Sequence, residues 1–358
     1  MAAKYITLAN RLKKQIDQSK GTRSYKLPTE QELCERYSVS RQTVRLALSM
    51  LTEEGYIRKR QGSGSFALPP ALRNQNREFA IVLSSDSEYL YPSVLMNLQT
   101  AIRQSGNRSS LFLTESDIRK ERYILESILH SSIDGVFIEG IQTNLPNPNL
   151  DIFEQLITQH KQITFIQHPY VGLSQVSSIR MDDFYGGYLV GKHISAKHHK
   201  QISALFQADS LTGTERYAGL NAALKDSHSL IAPEHICWYT TFQYEQLQKK
   251  QDNSFLKEFL QKQLLPCSCI ICQNDEIAYW LIKELVATGY HVPVDISVIS
   301  FGNSYLSELS YPAITSLAPR ALDFTTLLSE SIQHNKPLAH AFSWNLVEKG
   351  SVSVWNAN

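Results

Sequence analysis

From Phe79 onward the chain repeats one pattern, a short apolar run followed by a stretch with helical spacing. The runs fall at 80–83, 110–113, 135–138, 163–166, 202–206, 269–272 and 296–300. Runs this short and this continuously apolar fit strands buried on both faces. Stretches such as 117–130 and 275–288 place their apolar residues at a helical period instead. Parallel strands need a crossover, usually a helix, so the alternation predicts an α/β fold with parallel sheets covered on both faces. About 280 residues follow this pattern, more than one such sheet uses, so two α/β lobes are expected.

The first 68 residues read differently. They carry 13 basic and 6 acidic residues against 22 and 28 in the remainder, so the net charge of +1 is a cancellation of +7 and −6. Such asymmetry points to a polyanionic partner for the head alone. Tyr5, Ala9, Leu12 and Ile16 recur on one face of a first helix. Thr29-x-x-Glu32 reads as a capping box that starts a short second helix, with Leu33, Cys34 and Tyr37 facing inward. Ser40 is placed to cap a third helix from Arg41, whose buried face is Val44, Ala47, Leu48 and Leu51. Arg41, Gln42 and Arg45 fall on the other side, and Gly55 stops the helix. Residues 56–60 and 65–68 then flank Gln61-Gly62-Ser63-Gly64, a hairpin or wing with three cations beside its tip.

Helix, turn, helix and wing form an arrangement suited to double-stranded DNA. Arg pairs with guanine edges and Gln with adenine, while the wing cations suit phosphates and Gln61 is placed to enter a groove. The segment LPTEQELCERYSVSRQTVRLALSMLTEEGYIRKRQGSGSF resembles the GntR-type winged-helix signature. The resemblance implies that Arg41, Gln42, Thr43 and Arg45 face the major groove and that Gln61 and Gly62 approach from the wing. It also implies that Glu30 lies at the edge of the recognition surface. Residues 69–78, PPALRNQNRE, read as a linker, giving domains at 1–68 and 79–358.

In open α/β sheets, ligands bind beyond the carboxyl ends of the strands. Those ends carry Ser84-Ser85-Asp86, Glu139, Gln167-His168, Gln207, Gln273-Asn274-Asp275 and Gly302-Asn303, a set suited to a hydroxylated small molecule. Tyr89, Tyr91 and Phe301 lie close by in sequence and suit the apolar face of a sugar ring. The stretches 272–278 and 289–298, with Asp182-Asp183-Phe184-Tyr185-Gly186-Gly187 and Glu215-Arg216-Tyr217-Ala218-Gly219-Leu220, resemble the LacI/GalR effector-domain pattern. That resemblance implies a periplasmic-binding-protein-like fold, two lobes joined by crossover strands and closing on a ligand, with homodimerisation through the effector domains. A GntR-type head on a LacI-type domain, with residues 133–139 followed by Leu145-Pro146-Asn147-Pro148-Asn149, is similar to the L-arabinose-responsive repressor family. By that analogy Arg216 and Asn274 contact sugar hydroxyls, with Glu139 and one of Asp182 and Asp183 as acceptors. Tyr89, His168 and Gln207 complete the expected effector set. One position departs: Ser300-Phe301-Gly302-Asn303 stands where most such domains have Gly-Phe-Asp-Asp, and Gly302 has no carboxylate to accept from a hydroxyl.

No run of about 18 apolar residues is present, and the N-terminus lacks the apolar core of a secretory signal, so a cytoplasmic chain without membrane contact is expected. Five cysteines, an odd count, suggest reduced thiols. Cys267, Cys269 and Cys272 lack the fourth nearby ligand of a zinc site, so neither metal nor cofactor is expected. No Walker, G-x-S-x-G, HExxH or GxGxxG motif occurs, which leaves catalysis without a candidate residue. The sequence therefore reads as a dimeric, sugar-responsive repressor of operator DNA. Response to a different or phosphorylated ligand, or activation, is the alternative. A sugar-modifying enzyme carrying a DNA-binding head is a third reading, and it has no motif.

Overall fold

The computed structural model describes residues 4–18, 25–53, 55–60, 62–68, 77–85, 91–173, 175–262, 267–320, 324–334 and 339–355. The chain divides into two compact units. One comprises Met1–Phe79, Asn97–Ser110 and Phe324–Lys336, the other Ala80–Met96, Leu111–Asp323 and Pro337–Asn358. Among the described residues no helix is long and apolar enough to cross a membrane.

The head runs α1 (Lys4–Gln18), β1 (Tyr25–Lys26), α2 (Glu30–Tyr37), α3 (Arg41–Glu53), β2 (Ile57–Arg60) and β3 (Gly64–Ala67). Its core is its own: Leu8, Ala9, Leu12 and Ile16 of α1 pack with Leu33 of α2 and with Val44, Ala47, Leu48 and Leu51 of α3. Both halves of the Thr29–Glu32 capping box form. Ser38, in the left-handed region at φ 52°, ends α2. Two residues on, Ser40 Oγ accepts from the Thr43 N–H at 3.2 Å and starts α3. Gly55 at φ 72° then turns the chain out of α3, with the Tyr56 N–H donating to Leu51 O at 2.8 Å. β2 and β3 pair antiparallel. β1 adds a third strand to β3; at two residues it is too short to show a period in the sequence.

Beyond the head, the order is β4 (Glu78–Leu83), α4 (Tyr91–Gln104), β5 (Arg108–Leu113), α5 (Ile118–Leu129), β6 (Gly135–Glu139), α6 (Leu150–Thr158), β7 (Gln162–Ile166) and β8 (Ser177–Met181). Next come α7 (Asp183–Ala196), β9 (Ile202–Gln207), α8 (Leu211–Asp226), β10 (Ile236–Tyr239), α9 (Thr241–Lys250) and α10 (Ser254–Lys262). β11 (Cys269–Cys272), α11 (Asp275–Ala287), β12 (Ser297–Phe301), α12 (Tyr305–Leu309) and β13 (Thr315–Pro319) follow. The chain finishes with α13 (Phe324–His334), β14 (Ala339–Phe342) and β15 (Trp344–Val347).

Two six-stranded sheets result, ordered β14-β8-β7-β6-β4-β5 and β10-β9-β11-β12-β13-β15. The chain crosses between them after β8, after β13 and at Ser343, between β14 and β15. All seven apolar runs are strands. In β11, Ile270 and Cys272 face the side covered by α11, and Cys269 and Ile271 face the side covered by α7 and α8. Burial on both faces is why such runs are unbroken. The sheets are parallel as expected, with the last strand, β15, added antiparallel beside β13.

α7 and α8 meet backbone to backbone. A Cβ at Gly187 would lie 2.0 Å from Arg216 O, and one at Gly219 would lie 1.8 Å from Phe184 O. Neither obstacle is a flexible side-chain end, so the helices must part to admit a methyl group. Gly219→Ala is expected to destabilise the second unit by about 1–3 kcal/mol. Denaturant unfolding reads this directly, and an unchanged midpoint would contradict the close approach.

Candidate functional site

The head presents the start of α3 to solvent. Arg41, Gln42 and Arg45 are exposed, while Thr43 is half-buried, its Oγ1 2.9 Å from Ser40 Oγ. Glu30, the first residue of α2, accepts from Arg45 Nε at 3.0 Å, so the two form one surface pair. Arg58, Lys59 and Arg60 of β2 are exposed, and Gly62 sits at the wing tip at φ +73° with open space around it. Gln61 lies outside the described residues.

Within the second unit, strand ends from both sheets enclose an inner cavity of about 120 Å³. Ser84, Glu139 and Gln142 line it from the first lobe, Gln207, Thr241 and Tyr244 from the second. An outer cavity of about 510 Å³ shares Ser84, Ser116, Glu245 and Gln248 with it and adds Glu276, Tyr279 and Trp280. Glu139 Oε2 accepts from the Ser84 N–H at 3.0 Å and from its hydroxyl at 2.8 Å. Gln207 Nε2 donates to Asp209 Oδ1 at 3.2 Å and to Thr241 Oγ1 at 2.9 Å. Asn274 caps α11 through the Ile277 N–H at 2.9 Å and donates to the Tyr244 hydroxyl at 3.2 Å. That hydroxyl in turn donates to Glu276 Oε2 at 2.7 Å. Tyr89 and Asp86 lie outside the described residues.

Other expected effector residues gather behind the cleft. Asp183 is fully buried and accepts from Arg216 through Nε and Nη2, both at 2.9 Å. Arg216 Nη1 donates to Gln273 O, and the guanidinium lies 4.3 Å from the Phe301 ring centroid and 5.2 Å from that of Trp344. Phe301 thus packs on a cation of the chain itself. Asp182 caps α7 by accepting from the Tyr185 N–H at 3.0 Å. His168 Nε2 stands 3.2 Å from Asp183 Oδ2 and 3.6 Å from Glu215 Oε2, which Arg180 also reaches at 3.2 Å. His168 lines a separate cavity of about 620 Å³ with Arg180, Glu215 and His340. Arg216 and Asp183 border neither the inner nor the outer cavity. Beside Arg216, three buried atoms have no hydrogen-bond partner among the described residues: Gln273 Oε1, Trp344 Nε1 and the Tyr239 hydroxyl.

The donor atoms of His168, Asp183 and Glu215 all lie within 4.8 Å of one another, a spacing that admits a cation. Arg216 and Arg180 already neutralise the two carboxylates, so the group is a charge network rather than an open ligand set. The cysteines are free thiols. Burial pushes those of Cys269 and Cys272 well up, which leaves them unreactive. Gly302 has a backbone reason to be glycine, a φ of +119°. Asp275, fully buried, accepts from Ser316 Oγ and the Ser304 N–H, both at 2.6 Å, and from Ser300 Oγ.

Residues 4–66 match the bacterial regulatory proteins of the gntR family, and residues 192–335 match the periplasmic binding protein-like domain. The arabinose metabolism transcriptional repressor of Halalkalibacterium halodurans is 30% identical over 323 residues, 88% of this chain and 85% of its own. Its counterpart from Geobacillus stearothermophilus is also 30% identical, over 318 residues covering 88% and 86%. The chain belongs to the family of these transcriptional repressors. The crystal structure of transcription regulator CcpA of Lactococcus lactis superposes with a TM-score of 0.66 at 17% identity, covering 78% of this chain and 100% of that one. This regulator therefore has the two-lobed fold behind a GntR-type head, in a family of regulators rather than enzymes.

Sequence reasoning missed the α9 side of the regulator's cleft, where Thr241, Tyr244 and Gln248 stand. A signal was available in Thr240-x-x-Gln243, a capping box whose two halves both form. Arg216→Ala would leave the buried Asp183 with His168 but without its guanidinium, at a cost of about 3–5 kcal/mol. Denaturant unfolding of the second unit measures that cost, and a midpoint equal to wild type would contradict the pairing.

Proposed function

We propose that this regulator is a sugar-responsive repressor that binds double-stranded operator DNA as a homodimer and is released by a small neutral sugar such as L-arabinose. In this reading residues 1–68 bind DNA, 69–78 connect, and 79–358 bind the effector and dimerise. The chain acts in the cytoplasm, where its operator is. What carries the sugar assignment is the lining of the cleft, in which carboxylate, amide and hydroxyl groups from both lobes converge on one small cavity. The names of the two arabinose repressors support the same ligand class. Of the charged residues described around the two cavities, Glu115, Glu139, Glu245 and Glu276 outnumber Lys249, which favours a neutral ligand over a phosphorylated one.

Glu139, Gln207, Asn274 and Tyr89 meet the sugar in this reading, while His168, which lines a separate cavity, acts on the site through its bond to Asp183. Arg216 reaches it by trading its contact with Asp183 for sugar hydroxyls, with one of Asp182 and Asp183 as an acceptor. The unpartnered atoms of Gln273, Trp344 and Tyr239 supply further bonds beside that guanidinium. On DNA, Arg41, Gln42, Thr43 and Arg45 face the major groove, with Gln61 and Gly62 approaching from the wing and Glu30 orienting Arg45. Sugar releases the operator only by binding one lobe arrangement more tightly than another.

Arg45→Ala is expected to weaken operator binding about tenfold or more while leaving L-arabinose binding unchanged. A mobility-shift titration paired with calorimetry measures both, and unaltered operator affinity would remove Arg45 from the recognition face.

A further inference from the structure

Between β6 and α6 the chain runs through 140–149, which contains Pro146 and Pro148. This loop leaves the first sheet, yet its polar groups bond the second lobe. The Asn144 N–H donates to Asp209 O at 3.1 Å, and Asn144 Nδ2 donates to Ala208 O at 2.9 Å. Gln142 Nε2 donates to Asp209 Oδ2 at 3.1 Å. Thr143 Oγ1 accepts from the Leu211 N–H at 3.0 Å. Ser210, the residue before α8, makes no side-chain cap of its own, so Thr143 caps that helix from the other lobe. These bonds land on the turn between β9 and α8, which faces the inner cavity through Gln207 and Ser210. They close one lip of the cleft.

The loop is pinned from behind. Glu121 on α5 is fully buried, and burial pushes its carboxyl up. Its Oε1 accepts from Asn147 Nδ2 at 3.1 Å and from Asn149 Nδ2 at 2.9 Å. Its Oε2 accepts from the Tyr170 hydroxyl, which accepts in turn from the Ile141 N–H at 2.7 Å. A buried carboxylate needs such donors to be tolerated. Asn147 and Asn149 meet it directly at one end of the loop and Ile141 is tied to it through the Tyr170 hydroxyl at the other, leaving Gln142, Thr143 and Asn144 presented between two fixed points. Gln142 holds φ 49°, a conformation costly for a residue other than glycine unless its surroundings impose it.

We propose that residues 142–144 form a latch that holds one lip of the effector cleft closed before ligand arrives, and that Glu121 is its positioning residue. The proposal rests on the reading that this cleft takes the effector. A ligand then has only the remaining lip to close, and the fraction of molecules with the latch engaged multiplies its apparent affinity.

Hydrogen exchange of the full-length chain without ligand, read by mass spectrometry, tests the latch. In wild type the segment 208–214 is expected to be protected. Thr143→Val with Asn144→Ala should speed its exchange about tenfold, leaving β11 unchanged. Glu121→Gln should produce the same acceleration, although residue 121 makes no hydrogen bond to that segment. Should that variant not fold, Tyr170→Phe removes the same hydroxyl bonds and keeps the ring. Unchanged exchange in the double variant would overturn the latch. Acceleration there, with none in Glu121→Gln or Tyr170→Phe, would overturn the positioning role. L-arabinose titrated in parallel should bind the double variant about tenfold more weakly than wild type, and equal affinity would overturn the link to the cleft. If wild type itself ignores L-arabinose, the ligand reading fails while the exchange results still decide the latch.

Discussion

The buried pair of Asp183 and Arg216 is the interaction around which the two-lobed unit is arranged. A fully buried carboxylate costs several kcal/mol unless a partner meets it in good geometry. Asp183 is the first residue of α7, reached just after the chain leaves the first sheet at β8. Arg216 arrives from α8 and His168 from the first lobe. The helices carrying the pair must therefore lie close, and the glycines at 187 and 219 let their backbones do so. Gly186 makes room in the same way for Trp344, whose ring lies against the Arg216 guanidinium. The Asp-Asp-Phe-Tyr-Gly-Gly and Glu-Arg-Tyr-Ala-Gly-Leu motifs are thus two sides of one contact.

How much of this was legible follows from what each signal measures. Apolar runs report burial on two faces, so the strands at 80–83, 135–138 and 269–272 could be read, whereas β8, with the sequence Ser-Ser-Ile-Arg-Met, could not. Local hydrogen-bond chemistry was also legible. Thr29 and Ser40 cap helices because capping depends on residues three positions apart. Long-range pairing leaves no such trace. Nothing in the spacing of Arg216 and Asp183 says that they meet, nor that Glu121, on an amphipathic helix, points inward to Asn147 and Asn149. In the sequence the Pro-Asn-Pro-Asn stretch is only a likeness to a family; its physical reason is the bonding of Asn147 and Asn149 to Glu121.

The division of charge has a matching logic. Five of the 13 cations of the head, Arg41, Arg45, Arg58, Lys59 and Arg60, stand exposed on α3 and the wing, while the body carries the acidic excess. A protein that must bind a polyanion through one small domain gains from a body that phosphates repel. Inside the body the carboxylates at the cleft do a different task, since Glu139 and Glu276 are tied to hydroxyl donors. Such groups exchange one hydroxyl partner for another, which is what recognition of a sugar requires.

In the proposed reading a sugar in the cleft alters the grip of the head on DNA. Fluorescence anisotropy of a labelled duplex, obtained by selecting random-sequence DNA on the full-length chain, tests it when repeated with saturating L-arabinose and related sugars. A sugar which raises the unfolding temperature of the protein is expected also to lower its affinity for the duplex, about tenfold or more. Duplex affinity that stays constant in the presence of every stabilising sugar would contradict it.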